Sequence, residues 1–455
     1  MINLDVIYKN LEKHHHEDSI HIQEILAKAR ELHGLDLNDV AALSTIQNQN
    51  LIHELFTTAQ QIKDQIYGKR LVLFAPLYIS NFCSNECLYC AFRNSNQNIQ
   101  RRTLTQAEIA NEVICLINQG QKRILLEAGK SEDQDHLQYV LDAIKTIYNT
   151  KTEHGEIRRI NVNIAPLTVE NFKRLKDVEI GTYQLFQETY HPETYKKVHL
   201  SGQKADYNWH LSAMDRAMQA GIDDVGIGVL FGLYNWRFEI LALLQHAQYL
   251  DEKFGIGPHT ISVPRLEPAS GSDISTNPPA PVSDFDFCKL IAILRIAVPY
   301  TGIILSTRET AEIRREALNL GISQISAGSR TNPGGYSENT TTGQFSLGDH
   351  RSIDEVVRDV ASLGYIPSFC TACYRLGRTG EHFMNLAKTG SIKSMCAPNA
   401  LLTFQEYLTN YAFQETRKIG EQLINQELSK LTETESATII KMLNKIKAGA
   451  QDIYL

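Results

Sequence analysis

Short apolar runs alternate with amphipathic helical stretches eight times after residue 71, and this alternation constrains the fold more than any other feature of the chain. The apolar runs fall at 71–79, 123–127, 160–164, 182–187, 224–229, 260–263, 302–306 and 324–327. Segments such as LTQAEIANEVICLINQG and LSAMDRAMQAGI lie between them, with apolar residues at three- and four-residue spacing. Strands separated by helices pair in parallel, and eight units in about 260 residues predict a closed (β/α)8 barrel of the α/β class. Residues 1–70 read as an N-terminal helical extension. Residues 71–335 form the barrel, and 336–455 form a C-terminal domain that is helical again from 400 to 447.

The C-terminal ends of the predicted strands are polar: Glu127, Asn163, Gln187 with Glu188, Arg265, Thr307-Arg308-Glu309, and Ser329 with Arg330. In a barrel these ends form the active face. Polar groups on six strands are more than solvated loop starts require.

A net charge of −7 and the absence of a basic stripe exclude nucleic acid and an anionic membrane surface as main partners. No apolar run approaches the roughly 20 residues that span a bilayer, and the polar opening MINLDVIYKNLEKHHHEDS lacks a signal-peptide core. A cytoplasmic location is expected. The adjacent His14, His15 and His16 point in different directions on a helix and read as a solvated face.

Six of the eight cysteines form two triplets. Cys83, Cys87 and Cys90 make CxxxCxxC on the loop after the first strand. That spacing lets three thiolates converge on one iron–sulfur cluster. Structural zinc normally takes four ligands, and no fourth Cys or His lies nearby. Cys370, Cys373 and Cys396 make the second set. On spacing alone this set suits zinc, with His382 as fourth ligand, or an iron–sulfur cluster equally well. Three thiolates on a four-iron cluster leave one iron open to bind a reactive group. Cys115 and Cys288 read as buried structural thiols.

Three further features have plain structural readings. GIGVLFG (226–232) departs from the GxGxxG spacing of dinucleotide loops and fits tight backbone packing at a strand end. His259, entering the sixth strand, reads as a packed, hydrogen-bonded residue. SGSDISTNPPAPVSD (270–284) is an insertion too short for a domain.

CxxxCxxC with Tyr89 before its last cysteine, after barrel strand one, resembles the radical S-adenosylmethionine (SAM) superfamily. The stretches YQLFQETYHPETY, ISVPRLEP, STRET, ISAGSRTNPGGY and GQFSLGDHRS resemble its aromatic-amino-acid lyase branch, with the thiamine-pathway tyrosine lyase and the HydG maturases of [FeFe]-hydrogenase. CTACYRLGRTGEHFM, with its third cysteine 22 residues on, is similar to HydG. It is absent from the thiamine enzyme.

The resemblance implies a radical SAM barrel whose Cys83, Cys87 and Cys90 hold a [4Fe–4S] cluster that binds SAM. Tyr89, Gly129, Glu127, Asn163 and Glu188 are the implied SAM-side residues. It implies tyrosine as substrate, with Cα–Cβ cleavage to p-cresol and dehydroglycine. Arg330, Arg265, Arg308 and Ser329 are the candidates to hold it, a fork-like guanidinium suiting its carboxylate. Cys370, Cys373 and Cys396 are implied to hold a second [4Fe–4S] cluster, where dehydroglycine becomes CO and cyanide captured on an extra iron. His259 matches the position that ligates this extra iron, which reverses its plain reading. A reductant such as ferredoxin or flavodoxin and other hydrogenase maturases are the implied partners. Competing readings are a radical SAM 2-iminoacetate synthase or related amino-acid lyase serving another pathway, and a non-catalytic iron–sulfur scaffold.

One departure stands out. The superfamily's glycine–glutamate pair after strand two, which contacts the SAM amino group, is here Gly129-Lys130. Glu127 and Glu132 are the carboxylates available to replace it.

Overall fold

Strand Arg70–Ser80 (β1) is buried at every position but its first, as a strand covered on both faces must be. It anchors a parallel sheet that continues through Arg123–Ala128 (β2), Arg159–Asn163 (β3), Tyr183–Gln184 (β4), Val225–Gly228 (β5), Thr260–Ser262 (β6), Gly302–Leu305 (β7) and Gln324–Ser326 (β8). β8 then pairs with β1 through Val72↔Gln324, closing the barrel. The computed structural model describes residues 1–131, 136–338 and 343–455. All eight predicted strands are present. Glu132 lies outside the described residues.

A ninth strand, Ile366–Ser368 (β9), has no counterpart in the sequence reading. It pairs with the start of β1, from Arg70 to Val72, whereas β2 pairs with β1 from Ala75 onward. Val72 pairs with both Gln324 and Ser368, so β8 and β9 lie on opposite edges of β1. β9 therefore extends the sheet beneath β2 and delivers Cys370 to the lower mouth of the barrel. A small hairpin, Lys151–Thr152 with Gly155–Glu156, is also new.

The expected N-terminal extension is four helices: Leu4–Lys13, Ser19–Ala29, Leu37–Leu43 and Gln49–Ile66. The second ends at Ala29, and Leu32 just beyond it has a positive φ of 65°. The first, third and fourth pack on the barrel's outer helices Trp236–Phe254 and Asp284–Ala297, which is why those two bury residues all around, and the second packs on the third and fourth.

Beyond β8, helix Ile353–Ser362 begins with a Ser352–Glu355 capping box and completes the last strand–helix unit. Residue 335 thus falls between this unit's strand and its helix. Helices Ile392–Asn410, Gln414–Leu428 and Glu433–Lys447 follow. Among the described residues no helix is long and apolar enough to cross a membrane.

Candidate active site and second cysteine centre

The loop after β1 is held by its own polar groups. Arg101 spreads its guanidinium over the carbonyls of Asn81, Phe92 and Asn96 at 2.6, 2.8 and 3.2 Å. Glu86, Leu88 and Leu200 exchange backbone hydrogen bonds across to 198–201. Ser84 N donates to the carbonyl of Lys130 at 2.7 Å, joining the cysteine loop to the end of β2. Gly129 is required at that junction. A Cβ there would lie 2.2 Å from the Phe82 carbonyl oxygen.

Cys83, Cys87 and Cys90 open onto one cavity of about 210 Å³ at the upper mouth. Phe92 N and Gln344 Nε2 donate to Cys90 Sγ at 3.4 and 3.6 Å, and Asn85 Nδ2 to Cys83 Sγ at 3.7 Å. Such N–H···S bonds are the surroundings of a thiolate cluster. Burial pushes the thiols of Cys87 and Cys90 up, Cys90 to about 11. An iron ligand has to be deprotonated, so metal binding would have to drive proton loss here. Tyr89 is fixed beside them by its hydroxyl, 2.9 Å from His199 Nε2.

The cavity wall carries Glu127, Asn163, Glu188, Gly129, Arg308 and Ser329, as expected from the strand ends. Burial raises the Glu127 carboxyl to about 8 against the pull of Arg308 and Asn163. Glu188 holds a left-handed backbone with φ of 67°, and its Oε1 meets Lys204 Nζ at 2.6 Å. Ser329 Oγ is buried without a partner. Arg308 lies on the Phe345 ring, 3.2 Å from its centroid.

Two sequence candidates are placed elsewhere. Arg265 donates to Glu309 and Asp284 and stacks over Phe287, so its fork is already engaged. Arg330 is exposed and turns Nη1 to the carbonyl of Ser329. Neither lines the cavity. Lys204, Tyr78 and Phe345 line it and were not singled out. Phe345 sits inside GQFSLGDHRS, but no periodicity marks Lys204, which arrives from the loop after the helix Pro192–Val198.

The second triplet sits at the opposite end. Cys370, Cys373 and Cys396 line a small cavity with Arg70, Arg123, Gln324 and His259, all at strand beginnings. The buried apolar group Phe74, Leu125 and Ile304 lies between the two mouths. Cys373 hydrogen-bonds Cys396 and, with Arg70, Arg378 and Arg123, tips Cys396 toward the thiolate against its burial. The Nε atoms of Arg70, Arg123 and Arg378 are buried without hydrogen-bond partners. Unused cationic donors around three sulfurs fit an anionic cluster. His382 is exposed and off this wall, so the closed zinc site it would complete does not form.

Among the described residues no three Cys, His, Asp or Glu side chains close on a single metal ion. The first triplet has no fourth Cys or His in its loop and the second is ringed by unpartnered Arg donors, so both sets fit iron–sulfur clusters better than a closed zinc site. GIGVLFG is packing, as expected: a Cβ on Gly226 would meet Thr260 Oγ1 at 2.4 Å.

Residues 77–245 match the radical SAM superfamily, and 262–366 match the Biotin and Thiamin Synthesis associated domain. A 2-iminoacetate synthase of Escherichia coli is 31% identical over 352 residues, 76% of this chain and 90% of the relative. The crystal structure of HydG, a maturase of the [FeFe]-hydrogenase, superposes with a TM-score of 0.97 at 51% identity, over 100% of this chain and 99% of that one. HydG from Carboxydothermus hydrogenoformans gives 0.84 at 43% identity, covering 96% of each. The chain belongs to the radical SAM enzymes, in the HydG family of [FeFe]-hydrogenase maturases.

Proposed function

We propose that this enzyme cleaves the Cα–Cβ bond of tyrosine to p-cresol and dehydroglycine, and that dehydroglycine becomes CO and cyanide at the second cysteine centre for hydrogenase assembly. One observation carries the reading: two cysteine triplets open at opposite mouths of one closed barrel. A [4Fe–4S] cluster on Cys83, Cys87 and Cys90 would supply one-electron cleavage of SAM to methionine and a deoxyadenosyl radical.

The chain's own residues do the rest. Arg308 is the guanidinium on the upper cavity wall, suited to a substrate carboxylate, and Phe345 beneath it keeps its fork in one plane. Ser329 Oγ, buried and unpartnered, is available to a polar group of the substrate. Glu188 with Lys204, Asn163 and Glu127 offer SAM its polar contacts. The barrel wall keeps water from a radical and holds the reacting atoms close. At the lower mouth Cys370, Cys373 and Cys396 would hold the second cluster, and His259 the extra iron. A ferredoxin or flavodoxin as reductant, other hydrogenase maturases as partners and a cytoplasmic setting accompany the reading.

Anaerobic reconstitution with iron and sulfide, followed by SAM, tyrosine and dithionite, tests it. Deoxyadenosine and p-cresol in parallel are expected. Deoxyadenosine without p-cresol would refute tyrosine cleavage, and neither product would point to a scaffold.

A further inference from the structure

Asp224 stands one residue before β5 and is 1% exposed. Its Oδ1 lies 3.4 Å from His259 Nδ1, within ion-pair distance, and that buried nitrogen has no hydrogen bond of regular geometry to any other group. The same oxygen accepts a hydrogen bond from Gly380 N at 3.2 Å. Gly380 opens the helix Gly380–Lys388 with a positive φ of 51°, and a Cβ there would press on the neighbouring Asp223 at 2.6 Å. Asp224 thus touches both the histidine and the segment leaving the second CxxC pair.

The contact distinguishes the two nitrogens of the ring. With Nδ1 turned to a carboxylate, the proton of a neutral imidazole belongs there, leaving the Nε2 lone pair for a ligand. His259 shares its cavity with Cys370, Cys373 and Cys396. Phe383, its ring centroid 4.3 Å away, restrains the imidazole from another side. Carboxylates behind metal-bound histidines act in this way, fixing tautomer and orientation.

We infer that Asp224 is a positioning residue that holds His259 with Nε2 toward the second cysteine centre, presenting it to the extra iron. The inference rests on the proposed role of His259 and adds the residue that makes that role possible. Asp224 touches no substrate and takes no part in chemistry at the upper mouth.

Asp224→Ala, Asp224→Asn and His259→Ala in the full chain, loaded with both clusters, test it by titration with Fe(II). Retained iron and the nitrogen hyperfine coupling on its EPR signal are read together, with deoxyadenosine formation as control. Asp224→Ala is expected to weaken uptake of the extra iron about ten-fold or more, with Asp224→Asn intermediate. The nitrogen coupling should weaken in step, while deoxyadenosine formation stays within about two-fold of the unaltered enzyme. Unchanged uptake and coupling in both Asp224 variants, with loss in His259→Ala, would overturn the inference. Loss of the cysteine-bound cluster itself from the Asp224 variants would also overturn it, assigning Asp224 to holding the loop. Retention of the extra iron in His259→Ala would instead refute the role of His259, a result separable from the others.

Discussion

Lys204 Nζ and Glu188 Oε1 meet at 2.6 Å on the wall of the upper cavity, joining the loop after Val198 to the end of the fourth strand unit. Burial opposes the charge on Lys204, but Glu188 and Cys87 hold its ammonium above its ordinary range. Removing one member of a buried pair strands the other, at a cost on the order of 3–5 kcal/mol. Lys204→Met is expected to lower the melting temperature and to weaken SAM binding at least about ten-fold, since about 1.4 kcal/mol is a factor of ten. Adding Glu188→Gln should restore melting but not SAM affinity. Calorimetry with and without SAM checks both. Unchanged affinity in Lys204→Met would remove the pair from the SAM site.

Gly129→Ala tests the junction between β2 and the first cysteine loop. The new methyl group would press on the Phe82 carbonyl at 2.2 Å, and backbone cannot swing aside as a flexible side chain does. Iron bound by the first triplet should fall sharply, and deoxyadenosine formation with it. Iron bound by Cys370, Cys373 and Cys396 should be unchanged. Iron analysis in two backgrounds, one lacking the second triplet and one lacking the first, reads the two expectations separately.

Arg308→Gln removes the guanidinium from the upper cavity while leaving Phe345 in place. The expected result is a KM for tyrosine raised about ten-fold or more, the scale of one charge-assisted contact at roughly 1.5–3 kcal/mol. SAM affinity should hardly move. Arg265→Gln should destabilise the protein through Glu309 without that selective effect on tyrosine.

Lys130 replaces the glutamate expected after Gly129, and its carbonyl, not its side chain, ties the cysteine loop. Lys130→Glu should therefore retain or improve SAM cleavage, measured as deoxyadenosine per minute. A clear loss would give the Lys130 ammonium a role of its own.

Glu127 makes a pH-dependent contribution whose sign follows from its burial. Its carboxyl is raised from the ordinary value of 4.5 to about 8, so the fold favours the protonated form. Stability is present at low pH and is lost as pH rises from the unfolded value toward about 8, levelling off beyond. Glu127→Gln abolishes this dependence. Before SAM is added, the melting temperature of the variant relative to the unaltered enzyme should climb between pH 5 and 8 and then stay constant. A flat difference would contradict the raised carboxyl of Glu127.

The barrel was legible because strands buried on both faces are nearly continuous apolar runs, and 70–80 is such a run. The first cysteine set was legible from spacing alone. β9 was not, because three residues containing Pro367 have no periodicity; pairing with Arg70–Val72 makes them a strand. Arg265 and Arg308 both stand at strand ends, and sequence cannot tell a guanidinium absorbed by Glu309 from one facing the cavity. Lys204 escaped for the opposite reason, being carried by a loop into contact with a residue 16 positions away. His259 looked like a packed histidine because its neighbours, the second triplet, come from more than a hundred residues further along the chain.

The proposed division of labour between the two mouths is tested most directly by product analysis of the unaltered enzyme beside Cys370→Ser. Both are reconstituted anaerobically and given SAM, dithionite and tyrosine labelled with ¹³C at the carboxyl and α carbons. The unaltered enzyme should release p-cresol together with labelled CO and cyanide. Cys370→Ser should release p-cresol at a comparable rate and no CO. Absence of p-cresol from the unaltered enzyme, or CO from the variant at the same yield, would contradict the assignment of cleavage to the upper mouth and fragment conversion to the lower.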